Sequence, residues 1–279
     1  MKELSITEQL IYTTTRVECT KNDGSNHIAT AFFCRLFIDE KNYVEVLVSN
    51  KHVLDKINRI TIHLCTLDEH EEIAPYVNYN YIVKDSSFII LHPDANVDLA
   101  IMPIKPLFQD IQKQLGKKIF HKSIDSKQFA NFNSDDYDAV EEVIMIGYPN
   151  GIWDDKNNRP IVRRGITATD PKVNYKGLPE FLIDCACLEG SSGSPVFFVK
   201  KGIITDKFGK MNGKQGQIVE LMGVQHAIPI KQSYANLEFI QTTATKMAVK
   251  TTQPLNLGYI IKAEKLIDFI PIIKGKYKL

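Results

Sequence analysis

Three residues in chain order have side chains that can carry out nucleophilic chemistry together: His52, Asp98 and Ser192. Ser192 lies in Gly190-Ser191-Ser192-Gly193-Ser194-Pro195. Glycine on both sides admits backbone conformations closed to other residues and lets a substrate carbonyl approach the main chain. The N–H groups of Gly190 and Ser192 can then converge on one point and stabilise a developing oxyanion. By itself the hexapeptide has the composition of an ordinary turn. His52 follows Leu47-Val48-Ser49 at a strand–turn junction, and Asp98 directly precedes the apolar Leu99-Ala100-Ile101. A buried aspartate there needs a hydrogen-bonding partner to offset its desolvation, and an imidazole N–H is one. Serine catalysis needs an exposed hydroxyl, a neutral imidazole to take its proton, and a carboxylate to fix the imidazole's tautomer. His52, Asp98 and Ser192 supply these roles.

The elements that must position them read as β structure. Short apolar runs rich in β-branched or aromatic residues recur at Ala31–Phe37, Tyr43–Ser49, Arg59–Leu64, Leu99–Ile104, Glu142–Ile146, Phe181–Cys185, Val196–Val199 and Glu220–Val224. Turn residues separate them, which predicts an all-β, antiparallel fold rather than βαβ units. Helices are predicted at Thr7–Tyr12, at Pro106–Gln114 and at Ala263–Phe269, the last stopped by Pro271. Ser5 and Glu8 have capping-box spacing. The polar stretch 105–140 reads as the connection between two lobes. Asp206–Gln217 reads as an exposed hairpin tip.

Composition sets outer limits. A length of 279 residues with 44% hydrophobic fits one large all-β domain or two smaller lobes. Lys+Arg at 34 nearly balances Asp+Glu at 33, so charge predicts no nucleic-acid or anionic-lipid partner. No apolar run approaches the roughly 18–20 residues of a membrane span. The N-terminus lacks the apolar core of a signal peptide, and Cys19, Cys34, Cys65, Cys185 and Cys187 are an odd set. They are expected to be buried, reduced thiols of a cytoplasmic protein. Cys185-Ala186-Cys187 lacks a second half-site, so no metal is expected.

The motifs Ser49-Asn50-Lys51-His52-Val53, Val97-Asp98-Leu99-Ala100, Gly147-Tyr148-Pro149, Ile183-Asp184, Gly190–Val196 and Gly223-Val224 occur in an order with a known counterpart. They resemble a trypsin-like (chymotrypsin-fold) serine peptidase, in the disulfide-free bacterial branch of HtrA-type and glutamyl-endopeptidase-type enzymes. The resemblance spans about residues 28 to 260. It implies two antiparallel β-barrels with the active site in the cleft between them. Residues 1–120 would carry His52 and Asp98, and residues 121–279 would carry Ser192 and a C-terminal helix. His52, Asp98 and Ser192 would be catalytic, with the oxyanion hole at Gly190 and Ser192 and with no cofactor. The implied function is an intracellular serine endopeptidase acting on peptide or protein substrates. The chain shows no PDZ-like extension or inhibitory pro-segment, so a latent form of the enzyme would be controlled by a regulatory partner protein, by oligomerisation or by a collapsed oxyanion turn. The alternative is a catalytically degenerate binding or scaffolding module.

The chain departs from the pattern at informative places. Secreted digestive relatives carry Asp immediately before the nucleophile, paired with a new N-terminus. Ser191 stands there, so activation by clipping is not expected. Ala186 occupies the register of the carboxylate that gives Lys/Arg specificity. Asp184 is expected to be a structural, paired carboxylate on the same strand face. Gly223, Gln225 and His226 are expected, with Ala186, to line the substrate pocket, pairing with an extended substrate by β-augmentation. Gln225 and His226 should face opposite ways, so one of them enters the pocket. The histidine of glutamyl-specific relatives aligns with Gln225, which leaves acidic or amide and small or apolar preferences both open. His27, His63, His70, His92 and His121 read as loop or strand residues, with His92-Pro93 shaping the turn that delivers Asp98. Trp153 reads as a packing residue, and Arg163 and Arg164 as a solvated strand face.

Overall fold

The computed structural model describes residues 3–83, 88–237 and 247–277. The first helix, α1 (Ile6–Ile11), starts on the expected capping box. Ser5 Oγ accepts from Glu8 N, and Glu8 returns a bond to Ser5 N. The first half of the chain then builds β1 (Thr14–Lys21), β2 (Asn26–Phe37), β3 (Tyr43–Ser49), the short helix α2 (Lys51–Leu54), β4 (Ile57–Leu67) and β5 (Ile73–Ile82). It continues through β6 (Ile90–Leu91), β7 (Ala100–Pro103), α3 (Lys105–Leu115), β8 (Lys118–Phe120) and β9 (Ile124–Asp125). These strands form one nine-stranded sheet in the order β5-β4-β1-β2-β3-β7-β6. Strand β8 joins β4, and β9 joins β2 in parallel.

The second half builds β10 (Glu142–Gly147), β11 (Ile161–Thr167), β12 (Glu180–Asp184), β13 (Pro195–Thr205) and β14 (Met211–Ala227). A separate hairpin of β15 (Ile230–Leu237) and β16 (Met247–Pro254) follows, then β17 (Leu257–Lys262). Six of these strands close a barrel, β10-β11-β12-β17-β14-β13. The fold is the mostly β, chymotrypsin-like architecture expected, with three departures. The first lobe is a sheet whose pairing does not close into a barrel among the described residues, and one of its pairs is parallel. The stretch 105–140 is more than a connection, because it returns two strands to that sheet. Pro271 lies inside α4 (Phe269–Tyr277) instead of ending a helix. In the first turn of a helix no intrahelical bond needs its missing N–H, so proline is tolerated there.

Three apolar clusters hold the fold together. One fills the first sheet around Phe33, Leu47, Ile60 and Met102, and another fills the barrel around Phe181, Phe198 and Ile260. The third runs between the lobes, joining Phe32, Val48 and Ile101 to Phe197, Leu221 and Ile261, with Phe269 of α4 packed in. Burial of this seam fixes the two lobes against each other, which is what a site divided between them requires.

Candidate active site

His52 and Asp98 come from the ends of neighbouring strands. β3 ends at Ser49, Asn50 caps α2, and His52 sits in that single helical turn. Asp98 lies just before β7, which pairs with β3. Asn50 Nδ2 donates to the Asp98 carbonyl at 2.8 Å and fixes one loop to the other. His52 Nδ1 lies 2.6 Å from Asp98 Oδ2, and the His52 backbone N–H donates to Oδ1 at 3.0 Å. Against a carboxylate Nδ1 carries the proton, which leaves Nε2 as an acceptor. Burial pushes the Asp98 carboxyl up, but the hydrogen bond and charge of His52 outweigh it and hold the group below the usual range. The His52 side chain is 47% exposed, so its far edge meets the cleft.

The expected role of His92 in shaping the aspartate loop has visible contacts. His92 N donates to Leu99 O, and His92 Nδ1 accepts from Asp94 N at 3.1 Å. Its Nε2 lies 3.1 Å from Lys265 O, so this buried ring also ties the loop to the C-terminal segment.

Ser192 is presented by a tight turn on the second lobe. Gly190 and Gly193 take positive φ values of 79° and 83°, where a side chain is strained. Space is also limiting: a Cβ on Gly193 would fall 2.0 Å from Thr30 O, and one on Gly147 2.0 Å from Ser194 Oγ. Thr30, on β2, is the hub between the lobes. Its N–H donates to Ser192 O at 2.9 Å, its hydroxyl donates to Gly190 O, and its carbonyl accepts from Ser49 Oγ. Tyr148 N and Ser194 Oγ donate to the same Thr30 hydroxyl. The Gly193 N–H donates to Gln225 O at 2.8 Å, and Gln225 N to Ser194 O at 2.9 Å. Among the described residues the N–H groups of Gly190 and Ser192 have no internal acceptor. Backbone donors without an internal acceptor are what an anionic oxygen would require there.

The structure therefore brings His52, Gly190 and Ser192 to one cleft of about 820 Å³, with Val53, Asn150 and Glu189 on its walls. No hydrogen bond joins Ser192 to His52 among the described residues. Such contacts are often unmade in a resting site and tighten when substrate binds.

The remaining sequence-predicted positions divide. Ala186 is exposed just beyond β12, and Asp184, expected to be buried and paired, is exposed at its end. Cys185 and Cys187 also lie past the strand, buried, because β12 stops at Asp184. Gly223 is packed inside the barrel, where an added Cβ would fall 2.2 Å from Ile261 O. Gln225 is 1% exposed and its Nε2 donates to Ala227 O. His226 turns to the back of Asp98, its Nδ1 3.8 Å from Oδ2. Trp153 packs edge-on to His63 and Tyr148 with Arg16 over its ring. Arg164 pairs with Glu142 on an exposed face. Thr30 and Asn50 are the site residues that sequence reasoning missed. Asn50 was signalled by its place beside His52, whereas nothing near Thr30 in sequence marks it.

The family described as trypsin-like peptidase domain matches residues 29–203. A glutamyl endopeptidase of Staphylococcus epidermidis is 25% identical over 177 residues, covering 62% of this chain and 54% of the relative. The chain thus spans about half the length of the curated relatives it matches. Among solved structures, the HtrA-type protease AlgW with a tripeptide is 15% identical, covering 96% of this chain and 62% of that one, with a TM-score of 0.44. The serine endoprotease from Yersinia pestis is 13% identical, covering 99% and 69%, with a TM-score of 0.46.

Proposed function

The chain belongs to the trypsin-like peptidase family, and on that premise we propose that it is a serine endopeptidase using Ser192, His52 and Asp98. The observation that carries this reading is the 2.6 Å His52–Asp98 contact in the cleft that Ser192 lines. His52 Nε2 takes the Ser192 proton as the hydroxyl oxygen attacks the scissile carbonyl. The N–H groups of Gly190 and Ser192 stabilise the resulting oxyanion, and Asp98 stabilises the imidazolium. His52 then protonates the leaving amine. Water, activated by the same ring, releases the acyl group from Ser192 and regenerates the hydroxyl. An intracellular location belongs to this reading, since all five cysteines are buried and unpaired. Among the described residues no helix is long and apolar enough to cross a membrane.

Ser192-dependent labelling by a fluorophosphonate probe tests the assignment. The unaltered chain should be labelled and Ser192→Ala should not. Labelling that survives the substitution defeats the proposal, and absence of labelling in the unaltered chain favours the scaffolding alternative. A resting enzyme completed by substrate or a partner protein belongs to the same reading. For that form the expected result is slow, Ser192-dependent labelling. With Ala186 and no carboxylate at the specificity register, cleavage after Lys or Arg is not expected. A peptide library cut mainly after Arg would refute that part.

A further inference from the structure

Where the chain leaves β12 it carries two cysteines one residue apart, Cys185 and Cys187, in the segment that leads into the nucleophile turn. In an extended strand such a pair would stand about 6.6 Å apart, farther than the ~3.5–4.5 Å between Cβ atoms that a disulfide spans. β12 stops at Asp184, and the chain bends at Cys185. The Cys187 thiol there donates a hydrogen bond to the Cys185 sulfur. Two glycines clear the space. A Cβ on Gly165 of β11 would fall 2.8 Å from Cys185 Cβ, and one on Gly258 of β17 would fall 2.5 Å from Cys187 Sγ. Arg163 lies two residues before Gly165, on the same face of β11. Its Nη1 is buried with no hydrogen-bond acceptor among the described residues. Burying a guanidinium N–H without an acceptor is costly, and a nearby thiolate offsets that cost. The bond from Cys187 holds Cys185 below the ordinary thiol range against its burial, and the Arg163 charge adds more than the Asp184 charge opposes. The same bond, with burial, pushes Cys187 up. One sulfur is thus prepared as a nucleophile while the other keeps its proton.

We propose that Cys185 and Cys187 are a redox modification site, which a peroxide converts to a disulfide that slows the nucleophile turn and a thiol reductant restores. The Cys185 thiolate attacks one peroxide oxygen, forming an S–O bond as the O–O bond breaks and the other oxygen leaves as hydroxide. The Cys187 sulfur then displaces the hydroxyl of this sulfenic acid, forming the S–S bond, and the Cys187 proton leaves with that hydroxyl as water. The hydroxide takes up the proton that Cys185 gave up, so two thiols are oxidised and the peroxide is reduced to two waters. Both thiols are buried, but Ala186 between them is exposed. The N–H groups of residues 186–188 reach no backbone carbonyl among the described residues. A segment without ladder bonds opens at low cost, which admits an oxidant as small as a peroxide. The consequence reaches Ser192 along the chain. Leu188 O accepts from Ser191 N at 3.1 Å and Glu189 O accepts from Asn150 N at 2.5 Å, so these two residues set the turn that carries the Gly190 and Ser192 N–H groups. Joining Cys185 to Cys187 contracts the chain immediately before that turn. Disulfides in a reducing compartment are of this transient, sensing kind.

The effect on Ser192 rests on the peptidase reading, whereas the disulfide does not, and the test reads them separately. The reduced chain is treated with hydrogen peroxide. Intact mass, alkylation after unfolding and the second-order rate of Ser192 labelling by a fluorophosphonate are then followed. The mass should fall by two hydrogens, with Cys185 and Cys187 alone protected from alkylation. Labelling should slow about tenfold, as a displaced oxyanion donor requires, and should recover with dithiothreitol. In Cys185→Ala the labelling rate should not respond to peroxide. Thiols at 185 and 187 that remain open to alkylation, a lasting gain of oxygen in place of the loss of hydrogen, or a disulfide made by Cys19, Cys34 or Cys65 overturns the site. A disulfide between Cys185 and Cys187 that leaves the labelling rate unchanged overturns its link to the turn. Should Cys185→Ala fail to fold, recovery with dithiothreitol in the unaltered chain decides that link, because methionine sulfoxide needs its own reductases. Failure of the unaltered chain to label counts against the peptidase reading alone. The masses then still decide the disulfide, and the amide resonances of Gly190 and Ser192, which should move on oxidation, decide its reach to the turn.

Discussion

Two carboxylate–histidine pairs in the first lobe differ in what surrounds them. At Asp98 the two carboxylate oxygens both serve one residue, His52, whose ring is half exposed and faces the cleft. At Glu45, on β3, a single oxygen collects three partners: Ser123 Oγ at 2.5 Å, His121 Nε2 at 3.1 Å and Arg35 Nε at 3.3 Å. The His121 ring is wedged against Phe33 and Phe108, with centroids 4.9 Å from each. Serine, histidine and carboxylate therefore meet at Glu45 as well as around the candidate site. At Glu45 the hydroxyl and the imidazole both point at the carboxylate, so neither is free to activate the other. At Asp98 the carboxylate occupies one edge of the imidazole only, and the other edge opens on a cleft that a serine shares. Residue types alone do not distinguish these clusters. Which edge of the ring is engaged does.

The sharpest way to break the comparison is to neutralise each carboxylate in turn. Asp98→Asn removes the acceptor that fixes the His52 tautomer, and labelling of Ser192 should fall about 10³- to 10⁴-fold. Glu45→Gln keeps the shape but loses the charge, and labelling should change less than about twofold, a difference worth under roughly 0.5 kcal/mol. Equal losses from the two substitutions would show that the distinction between them is false.

The position of the catalytic candidates was legible because each rests on a local pattern. His52 and Asp98 sit where an apolar strand ends or begins, and Ser192 lies between glycines whose φ values the turn requires. What the sequence did not reveal depends on pairing over long distances. Thr30 joins Gly190, Ser192 and Ser194 only because β2 meets the nucleophile turn across the lobe interface. Strict alternation predicted opposite faces for Gln225 and His226 and a pocket role for one of them. The bulge at His226 cannot be read from a pattern of period two, because it is a register shift against β17. Glu45 and His121 are likewise far apart in sequence, and only the return of the 105–140 stretch as β8 and β9 brings His121 and Ser123 to β3. The open pairing of the first sheet has the same origin, since short apolar runs specify strands but not whether their edges meet.

The smaller prediction concerns stability in acid, where the Glu45 cluster should dominate. Burial raises the Glu45 carboxyl, but the bonds from His121 and Ser123 and the charges of His121 and Arg35 outweigh it and bring the group down to about 2. A carboxylate with a depressed native pKa contributes stability above its unfolded value, and that contribution disappears as pH falls through the native one. For Glu45 the window runs from the ordinary glutamate value of 4.5 down to about 2. The amount at neutral pH is on the order of 2 kcal/mol, since the side chain is mostly shielded from water. Glu45→Gln should therefore lower stability to urea by about that amount at pH 7. The difference from the unaltered chain should shrink between about pH 4.5 and pH 2, where Glu45 itself becomes neutral. Asp98 is also held below its usual range, so Asp98→Asn should show a difference of the same sign, narrowing as pH falls. A Glu45→Gln chain whose urea midpoint stays a constant interval below that of the unaltered chain down to pH 2 would mean that charge plays no part in the cluster. Glu45 would then hold β3 to the returning segment by shape and neutral hydrogen bonds alone.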